Sequence, residues 1–191
     1  MARDTVDSTP IEGIPALAAT LEAGCKPADR FRIGTEHEKF GFNFSDLSPI
    51  PYEGENGVKA VLEGMERLLG WERISDNGLI IGLADPVGGG AISIEPGGQF
   101  ELSGAPLDNL HQTCRETNSH LAQVREVAEP LGVGFLGLGM APTWTREDMP
   151  VMPKSRYQIM TRYMPKVGSL GLDMMYRTST IQVDLDFSSA A

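Results

Sequence analysis

Residues 91–103 read AISIEPGGQFELS, two runs of strict alternation hinged on Pro96-Gly97-Gly98. Alternation has the period of a pleated strand, and a short glycine turn joins such runs only in antiparallel fashion. The hairpin pairs Glu95 with Gln99 and Ser93 with Glu101, so these four polar side chains share one face. Ile92, Ile94, Phe100 and Leu102 share the other. Any fold for this chain has to contain a sheet that is apolar on one side and acid-bearing on the other.

Two further segments obey the same parity. FRIGTEHEKFGF (31–42) reads as a strand with Glu36 and Glu38 on one face, roughly 6–7 Å apart along it. RTSTIQVDLDF (177–187) has the cleanest strand pattern: Ile181, Val183, Leu185 and Phe187 point one way, and Thr178, Thr180, Gln182, Asp184 and Asp186 the other. Between the strands lie helical periods. Thr9-Pro10-Ile11-Glu12 offers one start, with Pro15 as the alternative, for a helix carrying Ile14, Leu17, Ala18 and Leu21 and stopped by Gly24. Val58, Val61, Leu62, Met65, Leu68 and Leu69 mark a second helix, closed by Gly70. Leu110, Cys114, Leu121, Val124 and Ala128 mark a third, from Asp108 to about Ala128. VGFLGLGM (133–140) reads as a buried strand, and MPKSRYQIMTRYMP as a short helix bounded by Pro153 and Pro165. Helices that interrupt hairpin-like strand pairs predict an α+β fold with a largely antiparallel sheet. No linker divides residues 1–191, so one domain is expected. The last strand pattern stops close to the end of the chain, which reads as cut short and open to self-association through that edge.

If the three acid-bearing faces adjoin, Glu36, Glu38, Glu95 and Glu101 surround one concave surface with Gln182. Carboxylates so close repel one another unless cations intervene. Hard oxygen ligands in that number suit magnesium working with substrate phosphates, hence phosphoryl transfer. The competing reading is an ordinary wet sheet face on which the acids only bind solvent.

Other features carry less. A formal net charge of -10 argues against non-specific nucleic-acid binding. Cys25 and Cys114 have no paired spacing, which fits neither a disulfide framework nor zinc and suits a reducing cytoplasm. MARDTVDST has no apolar leader, and no run approaches the roughly 18 apolar residues of a membrane span, so a soluble cytoplasmic protein is expected. Gly132-Val133-Gly134-Phe135-Leu136-Gly137 matches GxGxxG but follows a helix and runs on towards Pro142, the wrong context for a dinucleotide. His37 falls on the face opposite its flanking glutamates, and His111 and His120 lie on opposite sides of one helix. The methionines at 149, 152, 160, 164, 174 and 175 read as core filling. Arg156, Arg162, Lys166 and Arg177 bring positive charge that could hold carboxylate or phosphate oxygens.

FRIGTEHEKFGF, SIEPGGQFELSGAPLDNLHQTCRETNSHL, GFLGLGMAPTW and MPKSRYQIMTRYMPKVGSLGLDMMYRTSTIQVDLDFSS cover most of residues 31–189. Together these blocks resemble the plant and proteobacterial type of glutamate–cysteine ligase. The resemblance implies a glutamine-synthetase-like curved sheet flanked by helices, incomplete here because family members continue beyond this point. It implies that ATP phosphorylates the γ-carboxylate of glutamate and that the amine of cysteine displaces phosphate. By the same analogy Glu36, Glu38, Glu95, Glu101 and Gln182 face Mg2+, with Glu36 and Glu38 as the catalytic pair. Arg156, Tyr157, Thr178, Thr180 and Asp184 become the substrate contacts. Two positions depart from the family pattern: Ser179 replaces a usual Cys on the core-facing side, and Asp184 an Asn that is frequent there. The implied activity belongs to a longer chain, and this fragment is expected to be inactive alone. A ligase for another amine, and a non-catalytic remnant that binds magnesium or a partner, stay open as alternatives.

Overall fold

The computed structural model describes residues 9–189; the leader-free reading of residues 1–8 lies outside them. The helix α1 (Ile14–Glu22) starts at Gly13 with Pro15 in its first turn, and none of its residues is buried. Its apolar positions Ile14, Leu17 and Leu21 are uncovered. The long strand β1 (Ile33–Asn43) follows, then α2 (Val58–Leu69), which ends on Gly70 in the left-handed conformation, φ 66°.

The strands β2 (Glu72–Asp76) and β3 (Leu79–Ala84) form a hairpin that the sequence reading does not anticipate. Its turn is Asn77-Gly78, with φ 49° and 80°, the pairing that the right-handed twist of strands favours. Then come β4 (Ala91–Ile94) and β5 (Phe100–Ser103). The helix α3 (Leu110–Ala128) starts two residues later than the expected Asp108, because Asn109 is the cap: its Oδ1 accepts from the amides of His111 and Gln112, both at 3.1 Å.

Three later expectations change. The strand β6 (Val133–Leu136) covers only half of 133–140; Gly137 and Gly139 beyond it bring no side chain to bury. The helix α4 (Ser155–Val167) runs through Pro165, which sits in the last turn, where a missing amide affects one carbonyl. An unforeseen helix, α5 (Gly171–Arg177), takes the start of the supposed last strand, leaving β7 as Ile181–Leu185.

Among the described residues the sheet is seven-stranded and antiparallel, in the order β2-β3-β4-β5-β1-β6, with β7 also paired to β1. Residues 36–39 of β1 pair with β5, 33–37 with β7 and 40–43 with β6, so one strand ties the three acid-bearing segments together. The core joins Val58, Val61, Leu62 and Met65 of α2 to Leu83, Ile92, Ile94 and Phe100 of the sheet. The helix α3 buries only the C-terminal end of the stripe its hydrophobic residues mark, Val124 and Ala128, and leaves Leu110, Cys114 and Leu121 exposed. Leu110 is 68% exposed, whereas Thr113, His120, Val124 and Ala128 are buried. The reason lies in the strand it covers: β1 turns His37 and buried Lys39 to that side, so the helix meets them with polar groups. Thr117 Oγ1 stands 3.4 Å from His37 Nε2, and the His120 ring stacks on Phe100. The apolar side of β7 is uncovered, with Ile181, Val183 and Leu185 each more than half exposed.

Candidate active site

The register of β1 decides what meets on the acid-bearing face. Glu36 lies opposite Ser103 of β5 and Gln182 of β7; Glu38 lies opposite Glu101, which in turn lies opposite Ser93 of β4. Side chains directly opposite in antiparallel strands stand about 4.5–5.5 Å apart at Cβ. The three faces therefore adjoin. Gln182 Nε2 donates to Glu36 Oε2 at 2.6 Å. The amide of Thr180 donates to Glu38 Oε2 at 2.9 Å and its hydroxyl to Oε1 at 3.1 Å. The Ser103 hydroxyl donates to Glu101.

Glu95 sits at the tip of the β4–β5 hairpin. The buried Tyr157 shares its hydroxyl proton between the Ile94 carbonyl at 2.7 Å and Glu95 Oε1 at 3.1 Å. Lys154 Nζ and Arg156 Nη2 approach the same carboxylate at 3.8 and 3.6 Å. The tip is held against α5 by Gln99, which donates to the Thr178 carbonyl at 2.6 Å and accepts from the Gly97 amide at 2.8 Å.

Burial and mutual repulsion raise the acids. Desolvation, then Glu101, lifts the Glu36 carboxyl above its usual range. Desolvation also lifts Glu38, against the Thr180 hydrogen bonds. Glu95 is pushed from 4.5 up to about 7, first by burial and then by Glu101, with Lys154 and Arg156 pulling the other way. Between those two values the folded chain keeps a proton that the unfolded chain has lost, so stability falls as pH rises through the window. Urea unfolding midpoints of this chain are expected to drop from about pH 4.5 to about pH 7, and Glu95→Gln is expected to flatten that slope. An unchanged slope in the variant would mean that Glu95 is not the group responsible.

A cavity of about 350 Å³ opens beside these acids. Glu38, Glu95, Gln99, Thr178, Thr180 and Gln182 border it, with Met160, Met174 and Met175 among its apolar neighbours. Asp184 lies further along the same face, opposite Gly34, and opens onto a separate cleft with Arg32 and Asp186. Tyr157 is in the core and reaches the site through Glu95, while Arg156 is half exposed and packs its guanidinium 5.2 Å from the Tyr157 ring centre. Among the described residues no three His, Cys, Asp or Glu side chains close on one ion-sized point. The acids come in pairs instead. Magnesium commonly takes one or two carboxylates and leaves its other positions to water and phosphate, and carboxyls raised by repulsion are those a cation would relieve. The donor set fits that ion.

Sequence reasoning missed Lys154, which is 5% exposed and faces Glu95. A lone lysine between Pro153 and a helix has no pattern to reveal it. It also missed the methionine lining, because core and cavity methionines have the same spacing.

The family model described as Glutamate-cysteine ligase family 2 (GCS2) matches residues 32–191. Similar proteins include a chloroplastic glutamate–cysteine ligase of Arabidopsis thaliana, 58% identical over 92% of this chain and 33% of its own length. The chloroplastic enzyme of Nicotiana tabacum is 59% identical over 92% of this chain and 33% of its own length. Glutamate–cysteine ligase A, chloroplastic, of Oryza sativa subsp. japonica is 57% identical over 91% of this chain and 34% of its own length. The chain thus spans about a third of the length of these relatives. Their chloroplastic names overturn the cytoplasmic expectation. Two unpaired thiols, with no helix among the described residues long and apolar enough to cross a membrane, are as compatible with a plastid as with the cytoplasm.

Proposed function

We propose, since this chain belongs to glutamate-cysteine ligase family 2, that it carries the acidic sheet of an ATP-dependent ligase joining the γ-carboxylate of glutamate to the amine of cysteine. The observation that carries the reading is the register that sets Glu38 against Glu101 and Glu36 against Gln182 beside one cavity. A solvated wet face does not account for acids that are partly buried, mutually repelling and individually braced by Thr180, Gln182 and Tyr157. In the reaction the γ-carboxylate oxygen attacks the terminal phosphorus of ATP and ADP leaves. The amine of cysteine then attacks the acyl carbon, phosphate departs with the electron pair, and the amine loses a proton.

Magnesium ions, each taking one or two of the carboxylates Glu36, Glu38, Glu101 and Glu95 with Gln182 beside them, would neutralise phosphate charge and favour in-line transfer. The chain's own residues do the positioning. Thr180 fixes both oxygens of Glu38, Gln182 aims Glu36, and Tyr157 with Lys154 holds Glu95 in place. Arg156 is placed to meet a substrate carboxylate or phosphate at the hairpin tip, with Thr178 and Thr180 at the cavity border and Asp184 further along the face. With the named relatives as the guide, the compartment is the chloroplast. The 191-residue chain alone is expected not to turn over, in keeping with the uncovered side of β7.

The reading is tested in a chimaera in which this chain replaces the matching third of the Nicotiana tabacum relative. Phosphate release that requires glutamate and cysteine together supports it. Release that is indifferent to the amine would replace it with a ligase of another acceptor, and no nucleotide turnover would overturn it.

A further inference from the structure

Two buried oxygens on the side of the sheet that α3 covers have no hydrogen-bond partner within the protein: Thr35 Oγ1, on β1, and Glu116 Oε2, on α3. Thr35 is 6% exposed, and strand parity puts it with His37 and Lys39, behind the acids rather than among them. The two oxygens meet where the chain leaves β5. Gly104 donates its amide to the Thr35 carbonyl at 2.7 Å, and Glu116 Oε1 accepts from the amide of Ala105 at 2.8 Å. A Cβ on Gly104 would stand 2.6 Å from Glu116 Oε2, 2.9 Å from the Thr35 carbonyl oxygen and 3.1 Å from Thr35 Oγ1. Three oxygens from two elements thus converge on the space that the missing side chain leaves free.

We propose that the Glu116 carboxylate, the Thr35 hydroxyl and the Thr35 carbonyl hold an alkali-metal cation, potassium or sodium, behind the sheet. Charge is the deciding consideration. Among the described residues no Lys, Arg or His pairs with Glu116; the groups that act on it are the Ala105 amide and another acid, Asp85. Burial lifts its carboxyl above the usual range against the Ala105 hydrogen bond, and Asp85 adds to the lift. A carboxylate taken out of water is stable where it is paired or bound to a metal. A water molecule between the two oxygens would complete their hydrogen bonds and leave the charge uncompensated. One carboxylate with a hydroxyl and a carbonyl carries a single negative charge, which matches a singly charged ion of the kind that carbonyl oxygens coordinate. Magnesium demands near-octahedral geometry and gives up its water reluctantly, which suits the open acid face better than this enclosed corner. Bound here, the cation ties α3 to β1 one residue before Glu36 and to the exit of β5. It thereby steadies the strand from which Glu36 and Glu38 project on the other side.

The test is the thermal midpoint of this chain at about pH 8, where a carboxylate is ionised, in chloride salts of equal ionic strength, about 0.1 M. Replacing choline by potassium or sodium is expected to raise the midpoint by about 3 °C or more. Glu116→Gln has no charge to compensate. It is expected to melt no lower than the wild type does in choline, and at one temperature in all three salts. Thr35→Val keeps the shape, the carbonyl and the carboxylate, and is expected to shrink the shift to about half. A shift that persists undiminished in Glu116→Gln would place the salt effect elsewhere and overturn the site. A wild-type midpoint indifferent to the cation would overturn it in favour of a bridging water or of a protonated Glu116 that donates to Thr35.

Discussion

Glu101→Gln in the chimaera is expected to lower γ-glutamyl–cysteine synthesis by about 100-fold or more, while leaving the fold as stable as before or more so. Glu101 is the centre of the acid face. It is 4% exposed, stands between Glu38 and Ser93 in the sheet, and is the charge that, after burial, does most to raise Glu36 and Glu95. Glutamine keeps the shape and an oxygen for the Ser103 hydroxyl, yet removes a negative charge on which the proposed cation site depends. Without Glu101 the carboxyls of Glu36 and Glu95 fall towards their usual range, so part of the repulsion that destabilises the folded state disappears. Steady-state kinetics and urea unfolding of one preparation read both effects. Activity and stability lost together would mean that Glu101 is structural; activity retained would remove it from the metal site.

Gly97→Ala is expected to destabilise the fold by about 3 kcal/mol. A Cβ on Gly97 would overlap the carbonyl oxygen of Tyr176 and press on Met149 at 3.0 Å. That close approach is what lets α5 sit on the hairpin tip, where Gln99 ties the two together. Backbone has to give, and the displaced parts are the methionines of α5 that line the cavity and the support of Glu95. Gly168→Ala is the control. Its Cβ meets open space, so a change under about 0.5 kcal/mol is expected. Equal effects at the two positions, measured by urea unfolding, would show that the contact with α5 is not what constrains Gly97.

The parts of the fold that were legible are those where local pattern and tertiary pairing agree. Strict alternation around Pro96-Gly97-Gly98 set Ser93 against Glu101, and the structure has that register. The parity of β1 and β7 placed Glu36, Glu38 and Gln182 on faces that the sheet then brings together. The helix α2 was legible down to its glycine stop. The β2–β3 hairpin was not anticipated, although Asn77-Gly78 between apolar runs is a strong turn signal; the charged side chains of β2, at the edge of the sheet, mask its alternation.

Other misses have tertiary causes. The first part of α3 turns polar groups (Thr113, Thr117, His120) to the sheet because Lys39 and His37 lie beneath it, which no helical period can announce. The helix α5 is seven residues long, has no side-chain cap, and is held by the hairpin tip rather than by its own propensity. The apolar side of β7 looked like core by its spacing and is exposed here; alternation tells which side chains share a face, not what covers it. The chloroplastic names of the relatives corrected the compartment, which composition could not distinguish.

If the acids of three strands act together on a metal–nucleotide complex, calorimetric titration of magnesium with a non-hydrolysable ATP analogue into the chimaera will show it, beside the same protein carrying Glu36→Gln and Glu38→Gln. Saturable binding is expected in the first and its loss in the second, with both proteins folded. Equal binding in the two would place the nucleotide away from this face and contradict it.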